Sequence, residues 1–373
     1  MLTSHSFPPL VIRGRSLLPI VQGGMGVGIS AHRLAGSVAR EGALGTIASI
    51  DLRHHHHDLI ERCRQSPDRA TLEQANLTAL AREIHAAKAL SEGRGMIAVN
   101  VMKAVNAQAD YVRVASENGA DAIVMGAGLP LDLPDMTRGH DIALIPILSD
   151  SRGVALVLKK WIKKGRLPDA VVIEHPAHAG GHLGVSNLAD LDDPRFDFLR
   201  VLEELDAVFA SLGLSRKDVP LIVAGGINSH EAVRELLTAG ASGVQLGTPF
   251  AVTEEGDAHP NFKRVLTEAT PDDIVEFVSV TGLPARAVKT PWLMRYLRHE
   301  TKSARRSARS NMFVRPRSNA SACVAGATVS RSSATSASTR DSPRHCAATW
   351  PMVCSFAAAK PCRSARPSAA STT

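Results

Sequence analysis

Three imidazoles fall within eight residues of one segment, Glu174-His175-Pro176-Ala177-His178-Ala179-Gly180-Gly181-His182-Leu183-Gly184. Such a set could bind zinc or move protons. Zinc requires a closed set of ligands, and this glycine-bearing run offers no rigid HxH or HxxxH placement on a strand or helix. A titratable ring beside mobile backbone suits proton transfer better. His182 is therefore a candidate general base, with a surface or structural histidine as the alternative. No metal site is expected.

Two glycine turns point to a second kind of chemistry. Ala224-Gly225-Gly226 and Leu246-Gly247-Thr248 each end a short apolar run. Backbone N–H groups at glycine can approach a phosphate closely, and a helix starting near Asn228 would direct its positive end there. The alternative is that these glycines only make tight turns. Other candidates carry less. His54-His55-His56-His57 reads as a solvated loop. Cys63 lies in a polar stretch away from any strand end, which argues against a thiol nucleophile. Neither a Gly-x-Ser-x-Gly elbow nor a P-loop occurs.

The elements that must position these residues alternate between strand and helix. Apolar runs predict strands at 19–22, 44–48, 96–101, 122–125, 142–148, 170–173, 220–223 and 243–246. Helical spacing between them includes Leu34, Ala35 and Val38, with Ser30 as the expected cap and Gly42 as the stop. Residues 71–92, 106–117 and 153–164 also read as helices, as does the run Phe198, Val201, Leu205, Val208 and Leu212. Asn228 with Glu231 resembles a capping box for the helix that ends at Gly240. This alternation predicts an α/β fold, a (β/α)8 TIM barrel with catalytic groups at the carboxyl ends of its strands. A doubly wound sheet fits less well, because Gly23-Gly24-Met25-Gly26 does not match the dinucleotide turn GxGxxG.

The net charge of +7 is unevenly distributed. Residues 303–373 carry eleven Lys and Arg against Asp341 alone, so the body is slightly acidic and no nucleic-acid partner is expected for it. This Ser/Ala/Arg-rich tail contains four of the five cysteines, a single glycine (Gly326), and neither Leu nor Ile. It cannot bury enough apolar surface to fold. The division expected is a barrel domain over 1–302 and a low-complexity tail over 303–373, disordered or the product of a shifted reading frame. No run is long and apolar enough to span a membrane, and residues 1–20 lack a secretory pattern, so a cytoplasmic location is expected. The oligomeric state is left open.

Several stretches, in order, resemble the FMN-dependent nitronate monooxygenase family of the TIM-barrel superfamily. They are Pro19-Ile20-Val21-Gln22-Gly23-Gly24-Met25, Val99-Asn100, Ala179-Gly180-Gly181-His182, Ala224-Gly225-Gly226-Ile227, Gln245-Leu246-Gly247-Thr248 and Gly282-Leu283-Pro284-Ala285-Arg286. The resemblance implies FMN at the barrel mouth, its phosphate held by Gly225, Gly226, Gly247 and Thr248. It places Gln22, Gly23, Gly24 and Met25 along the flavin ring, Asn100 at the ring's polar edge, and Gly181 near the cofactor. His182 matches the family's catalytic histidine.

The implied reaction is oxidation of alkyl nitronates or nitroalkanes by O2 to carbonyl compounds and nitrite. Two alternatives stay open: an NAD(P)H-dependent quinone or enoyl-thioester reductase on the same scaffold, and a phosphate-binding barrel without catalysis. The chain departs from the family at His178, a position often acidic in relatives, and in its tail.

Overall fold

The apolar runs become strands within a residue or so of the expected limits, because each is flanked by turn residues that cannot extend the ladder. The computed structural model describes residues 7–178, 185, 188–278 and 284–298. A hairpin of β1 (Leu10–Ile12) and β2 (Arg15–Leu17) comes first. The parallel strands β3 (Ile20–Gln22), β4 (Leu44–Ala48), β5 (Met96–Met102), β6 (Ala122–Gly126), β7 (Ala143–Leu148), β8 (Val171–Glu174), β9 (Leu221–Ala224) and β10 (Gly243–Leu246) follow. They close into a barrel in chain order, with β10 beside β3. The fold is a (β/α)8 barrel. A second antiparallel hairpin, β11 (Ile274–Val278) and β12 (Pro284–Val288), comes after it.

The helices lie between the strands: α1 (His32–Arg40), α2 (His57–Gln65), α3 (Arg69–Ser91), α4 (Gln108–Glu117), α5 (Leu133–Met136), α6 (Ser151–Ile162), α7 (Phe198–Ser211), α8 (His230–Thr238), α9 (Thr248–Ala251) and α10 (Pro260–Glu268). The chain divides by contact after Val288. The second unit is described only over 289–298, where a helix at 291–298 stacks Trp292 on Tyr296 with ring centroids 5.7 Å apart. The tail beyond 302 and the boundary expected there lie outside the described residues. Among the described residues no helix is long and apolar enough to cross a membrane.

Strand periodicity sorts the core into two layers. Alternate residues such as Leu44, Ala98, Val124, Ile145, Val172 and Ile222 fill the barrel interior, joined by Leu10, Ile12 and Leu17 of the first hairpin. Their neighbours, among them Ile47, Val99, Ile123, Leu144, Ile173 and Val223, pack outward in the larger cluster that also takes in the helices. The hairpin thus fills one end of the cylinder, and the other end carries the connections.

Helix caps differ from expectation in instructive ways. Ser30 does not cap α1; its Oγ accepts the N–H of Met25 at 2.9 Å and holds the β3–α1 connection in a turn. The α1 terminus is instead capped from a distant part of the chain. The Asp257 carboxylate accepts from the N–H groups of Ala31 (2.8 Å), Leu34 (3.1 Å) and Arg33 (3.3 Å). For α8 the cap is Ser229, whose Oγ accepts from the N–H of Ala232, one residue later than the Asn228 expected. Asn228 has no such role because the strand-end turn runs one residue further.

The four-histidine run is also more engaged than a solvated loop. Glu83 of α3 is 1% exposed. Its Oε2 accepts the backbone N–H (2.8 Å) and Nδ1–H (2.7 Å) of His32, while Oε1 lies 3.0 Å from His56 Nε2. Burial opposes ionisation of Glu83, but the His32 hydrogen bonds outweigh it and hold the carboxyl below its ordinary range. The same bond raises the His32 imidazole, while burial lowers that of His56. Cys63 is buried in α2 within the outer core, as a small apolar side chain.

Because Asp257 satisfies three first-turn donors at once, Asp257→Ala should cost about 1–2 kcal/mol, the range for loss of a helix cap. Urea unfolding of the full chain measures this, and an unchanged midpoint would show that water replaces the carboxylate without loss.

Candidate active site

The inward parity continues to the carboxyl ends of the strands, but there the residue types change. Above an apolar floor that includes Val124, Ile145 and Ala224, the inward positions are held by Thr46, Asn100, Ser149, Glu174 and Gln245. The hydroxyl oxygens of Thr46 and Ser149 are buried and, among the described residues, have no hydrogen-bond partner. A buried hydroxyl without a partner is disfavoured, so the arrangement calls for a ligand or water with matching groups.

The first connection is drawn tightly across this ring. Gly23 donates its N–H to the Leu246 carbonyl at 2.9 Å. A Cβ on Gly24 would collide with the Cβ of Asn100, so only glycine lets the chain pass so close to that amide. Met25 is 8% exposed and packs with Ile29, Ala251 and Phe262; its Sδ lies 3.7 Å from where a Cβ on Gly247 would stand. Gln22 reaches the rim, but its side chain has the outward parity and is fully buried in the wall. Its Oε1 accepts the Thr46 N–H at 2.8 Å and its Nε2 donates to the Gly23 carbonyl. Both polar atoms of the amide are engaged within the protein, so Gln22 shapes the rim through Gly23 rather than by lining it.

The two glycine turns lie side by side. Strands β9 and β10 pair in parallel, with Ala224 opposite Gln245, so Gly225-Gly226 and Gly247-Thr248 leave neighbouring strands on the same rim. Gly225 (φ 108°) and Gly226 (φ 72°) both adopt positive φ. Among the described residues, the N–H groups of Gly225, Gly226 and Gly247 have no acceptor. Thr248 opens the short helix α9. Backbone donors without acceptors on two adjacent turns suit a phosphate.

The β8 connection packs against the Gly225-Gly226 turn. His175 Nδ1 accepts the N–H of Ala177 at 3.2 Å, and its ring meets Phe196 and Phe198 edge-on. Burial lowers the His175 imidazole below its ordinary range. The His178 ring lies beside that of His175, with centroids 5.0 Å apart, and against Gly226. Gly181 and His182 lie outside the described residues.

Some residues of the mouth were given no role from the sequence, although Glu174 and Gln245 lie in stretches it singled out. Glu174, Ser149 and Gln245 follow from the rule that inward positions at strand ends carry the chemistry, once the parity of each strand is fixed by its apolar partners. Arg286 of the second hairpin, which touches His178, had no such signal beyond its place in the Gly282–Arg286 stretch. Among the described residues no group of three or more His, Cys, Asp and Glu could hold a metal ion.

The family model for nitronate monooxygenase matches residues 15–337, a span that crosses the boundary expected at 302. The chain is 27% identical to a protein named probable nitronate monooxygenase from Bacillus subtilis, over 76% of this chain and 80% of that one. It is 26% identical, over 73% of this chain and 63% of the relative, to a Mycobacterium tuberculosis protein named (3aS,4S,5R,7aS)-5-hydroxy-7a-methyl-1-oxo-octahydro-1H-indene-4-carboxyl-CoA dehydrogenase. Among solved structures, FabK from Thermotoga maritima superposes with a TM-score of 0.57 at 21% identity, over 78% of this chain and 77% of that one, which is a likeness of fold. The chain belongs to the nitronate monooxygenase family, whose members are FMN-dependent oxidoreductases.

Burial pushes the Glu174 carboxyl up to about 8, from an ordinary value of 4.5. Its folded value lies above its unfolded one, so ionisation is penalised only in the folded state, and stability should fall as pH rises from 4.5 to 8. Glu174→Gln should flatten that part of the stability–pH curve, and the protonated-carboxyl infrared band of the wild type should persist at neutral pH. A wild-type band already lost near pH 5 would show Glu174 to be solvated.

Proposed function

We propose that this member of the family binds FMN at the barrel mouth and oxidises alkyl nitronates or nitroalkanes, with O2, to carbonyl compounds and nitrite. The observation that carries the reading is the pair of donor-bearing turns on adjacent strands, in a chain of this family. The residues present fit the group. The N–H groups at Gly225, Gly226, Gly247 and Thr248 would hold its phosphate, and Asn100 and Ser149 would meet polar edges of its ring. Gly23 and Gly24 leave room for a flat ring to lie close to the backbone. When bound, FMN supplies the electron transfer between the nitro compound and molecular oxygen.

The chain's own residues supply position and proton handling. The apolar floor excludes water from one side of the mouth and so strengthens each polar contact above it. His182 is assigned as the base that takes the proton from the carbon bearing the nitro group. A nitronate arrives without that proton and so makes a smaller demand on the residue.

The CoA-thioester relative favours a second reading, in which NAD(P)H reduces the flavin and a quinone or an enoyl thioester accepts the electrons. The two separate cleanly: rapid anaerobic bleaching of the flavin by NADH supports the second, and slow or absent bleaching supports the first.

The purified chain should be yellow and release FMN on denaturation. Nitrite release from a nitroalkane in air should fall by about 100-fold or more in His182→Ala, the scale of a lost general base, and less so with the preformed nitronate. Equal turnover of the nitroalkane in variant and wild type would remove His182 from proton transfer.

A further inference from the structure

The part of the mouth formed by the β3 connection is fastened from outside the barrel. Along residues 24–32, alternate glycines admit side chains from the ends of the next two strands and the loop after β4. A Cβ on Gly24 would meet Asn100, one on Gly26 would stand 2.6 Å from Cγ2 of Ile50, and one on Gly28 3.1 Å from Nε2 of His55. The Ala48 N–H also donates to the Ser30 carbonyl at 3.0 Å. This row of contacts ends at His32, where Oε2 of Glu83 accepts both the backbone N–H and Nδ1–H. The other oxygen of the same carboxylate lies 3.0 Å from Nε2 of His56, the residue before α2, close but not aligned as a hydrogen bond. One buried carboxylate thus joins the start of α1 to the start of α2, and a continuous run of contacts leads from it to Gly24 and Asn100.

We infer that Glu83, His32, His55 and His56 are positioning residues that brace the β3 connection, and so hold Gly23, Gly24 and Met25 where a ring bound in the mouth would meet them. The brace itself needs no ligand; its effect on a flavin rests on the cofactor reading above. Its firmness depends on pH. His32, His55 and His56 face the carboxylate; Asp257 and Arg33 also face His32, while Arg82, Asp58 and His55 face His56. The Glu83 hydrogen bond raises the His32 imidazole, and burial lowers that of His56. Opening the connection returns both rings toward their ordinary value of 6.5. Raising the pH through the His32 value removes a proton that the closed brace favours, and lowering it below 6.5 adds one to His56 that the closed brace resists. Both changes favour opening. Glu83, held below its ordinary range, stays ionised throughout, so the brace is firmest near pH 6.5.

The test follows amide hydrogen exchange in the full-length chain without flavin, corrected for the intrinsic pH dependence of exchange. The amides of Met25, Ser30 and Ala48 should open least near pH 6.5 and more readily on both sides of it. His56→Gln should remove the acid limb, and Glu83→Gln and His32→Gln the alkaline one. At pH 6.5, Glu83→Gln should also speed exchange of these amides about tenfold, the scale of one hydrogen bond to a charged group, and leave the wall amides of Val99 and Ile123 unchanged. A second arm reads FMN and riboflavin affinity by quenching of flavin fluorescence, and Glu83→Gln should weaken both alike, because the wall that moves lies along the ring they share. If Glu83→Gln does not fold, the wild-type profile and His32→Gln carry the test. Wild-type opening that is flat with pH, or exchange that rises equally over the whole barrel in Glu83→Gln, overturns the brace. Faster exchange in the connection with unaltered flavin affinity overturns its link to the mouth. A wild type that binds no flavin overturns the cofactor reading alone, and the exchange profile still decides the brace.

Discussion

The barrel closes through a strand too short to close it by backbone alone. β3 has three residues and shares a single residue pair with β4, Val21 with Leu44. Beyond that pair the Gln22 side chain continues the ladder, taking the Thr46 N–H at 2.8 Å and donating to the Gly23 carbonyl. On the other flank β3 pairs with β10, and the Gly23 N–H reaches Leu246. Left unmade, each buried bond of this kind would cost about 1–3 kcal/mol. The seam also sets function, because it fixes where the β3 connection leaves the wall, and hence how near Gly24 comes to Asn100 and Met25 to Gly247.

Closure imposes the chemistry of the mouth as well. Once each strand must point alternate residues inward, the lower layers have to be apolar and close-packed, and only the last inward position can be polar without a deep desolvation cost. Thr46, Asn100, Ser149, Glu174 and Gln245 occupy inward positions toward the carboxyl ends of different strands. Glu174 shows the effect of being set just inside the rim: burial pushes its carboxyl up to about 8. Such a ring of polar groups suits a ligand with hydrogen-bonding edges and flat faces, and the backbone donors on the turns after β9 and β10 suit an anionic group.

Much of this was legible in the residues. The eight barrel strands and the two glycine turns follow from apolar runs and their punctuation, because a parallel strand covered on both faces must be continuously apolar. What escaped were interactions that join positions distant in sequence. Asp257 caps α1 across more than two hundred residues, and no local pattern announces it, whereas Ser30 has the right local pattern and a different task. Glu83 draws His32 and His56 together from three separate elements, so the four-histidine run looked solvated. Gln22 lies in a motif that resembles a ring-lining stretch, yet its parity turns it into the wall; strand register, which the motif does not reveal, decided the outcome. Asn228 missed by one residue, the ordinary error at a helix end.

The three histidines of the β8 connection now divide by physical circumstance. His175 is lowered by burial, accepts a backbone N–H at Nδ1, and meets Phe196 and Phe198 edge-on, so its ring is packed into the rim. His178 lies 3.1 Å from Arg286 Nη1 through its Nδ1 and packs against Gly226. The third, His182, lies outside the described residues and is the one proposed above as the base. Two of the clustered imidazoles are thus packed into the rim by contacts of their own, and the proton transfer proposed for this segment falls to the third.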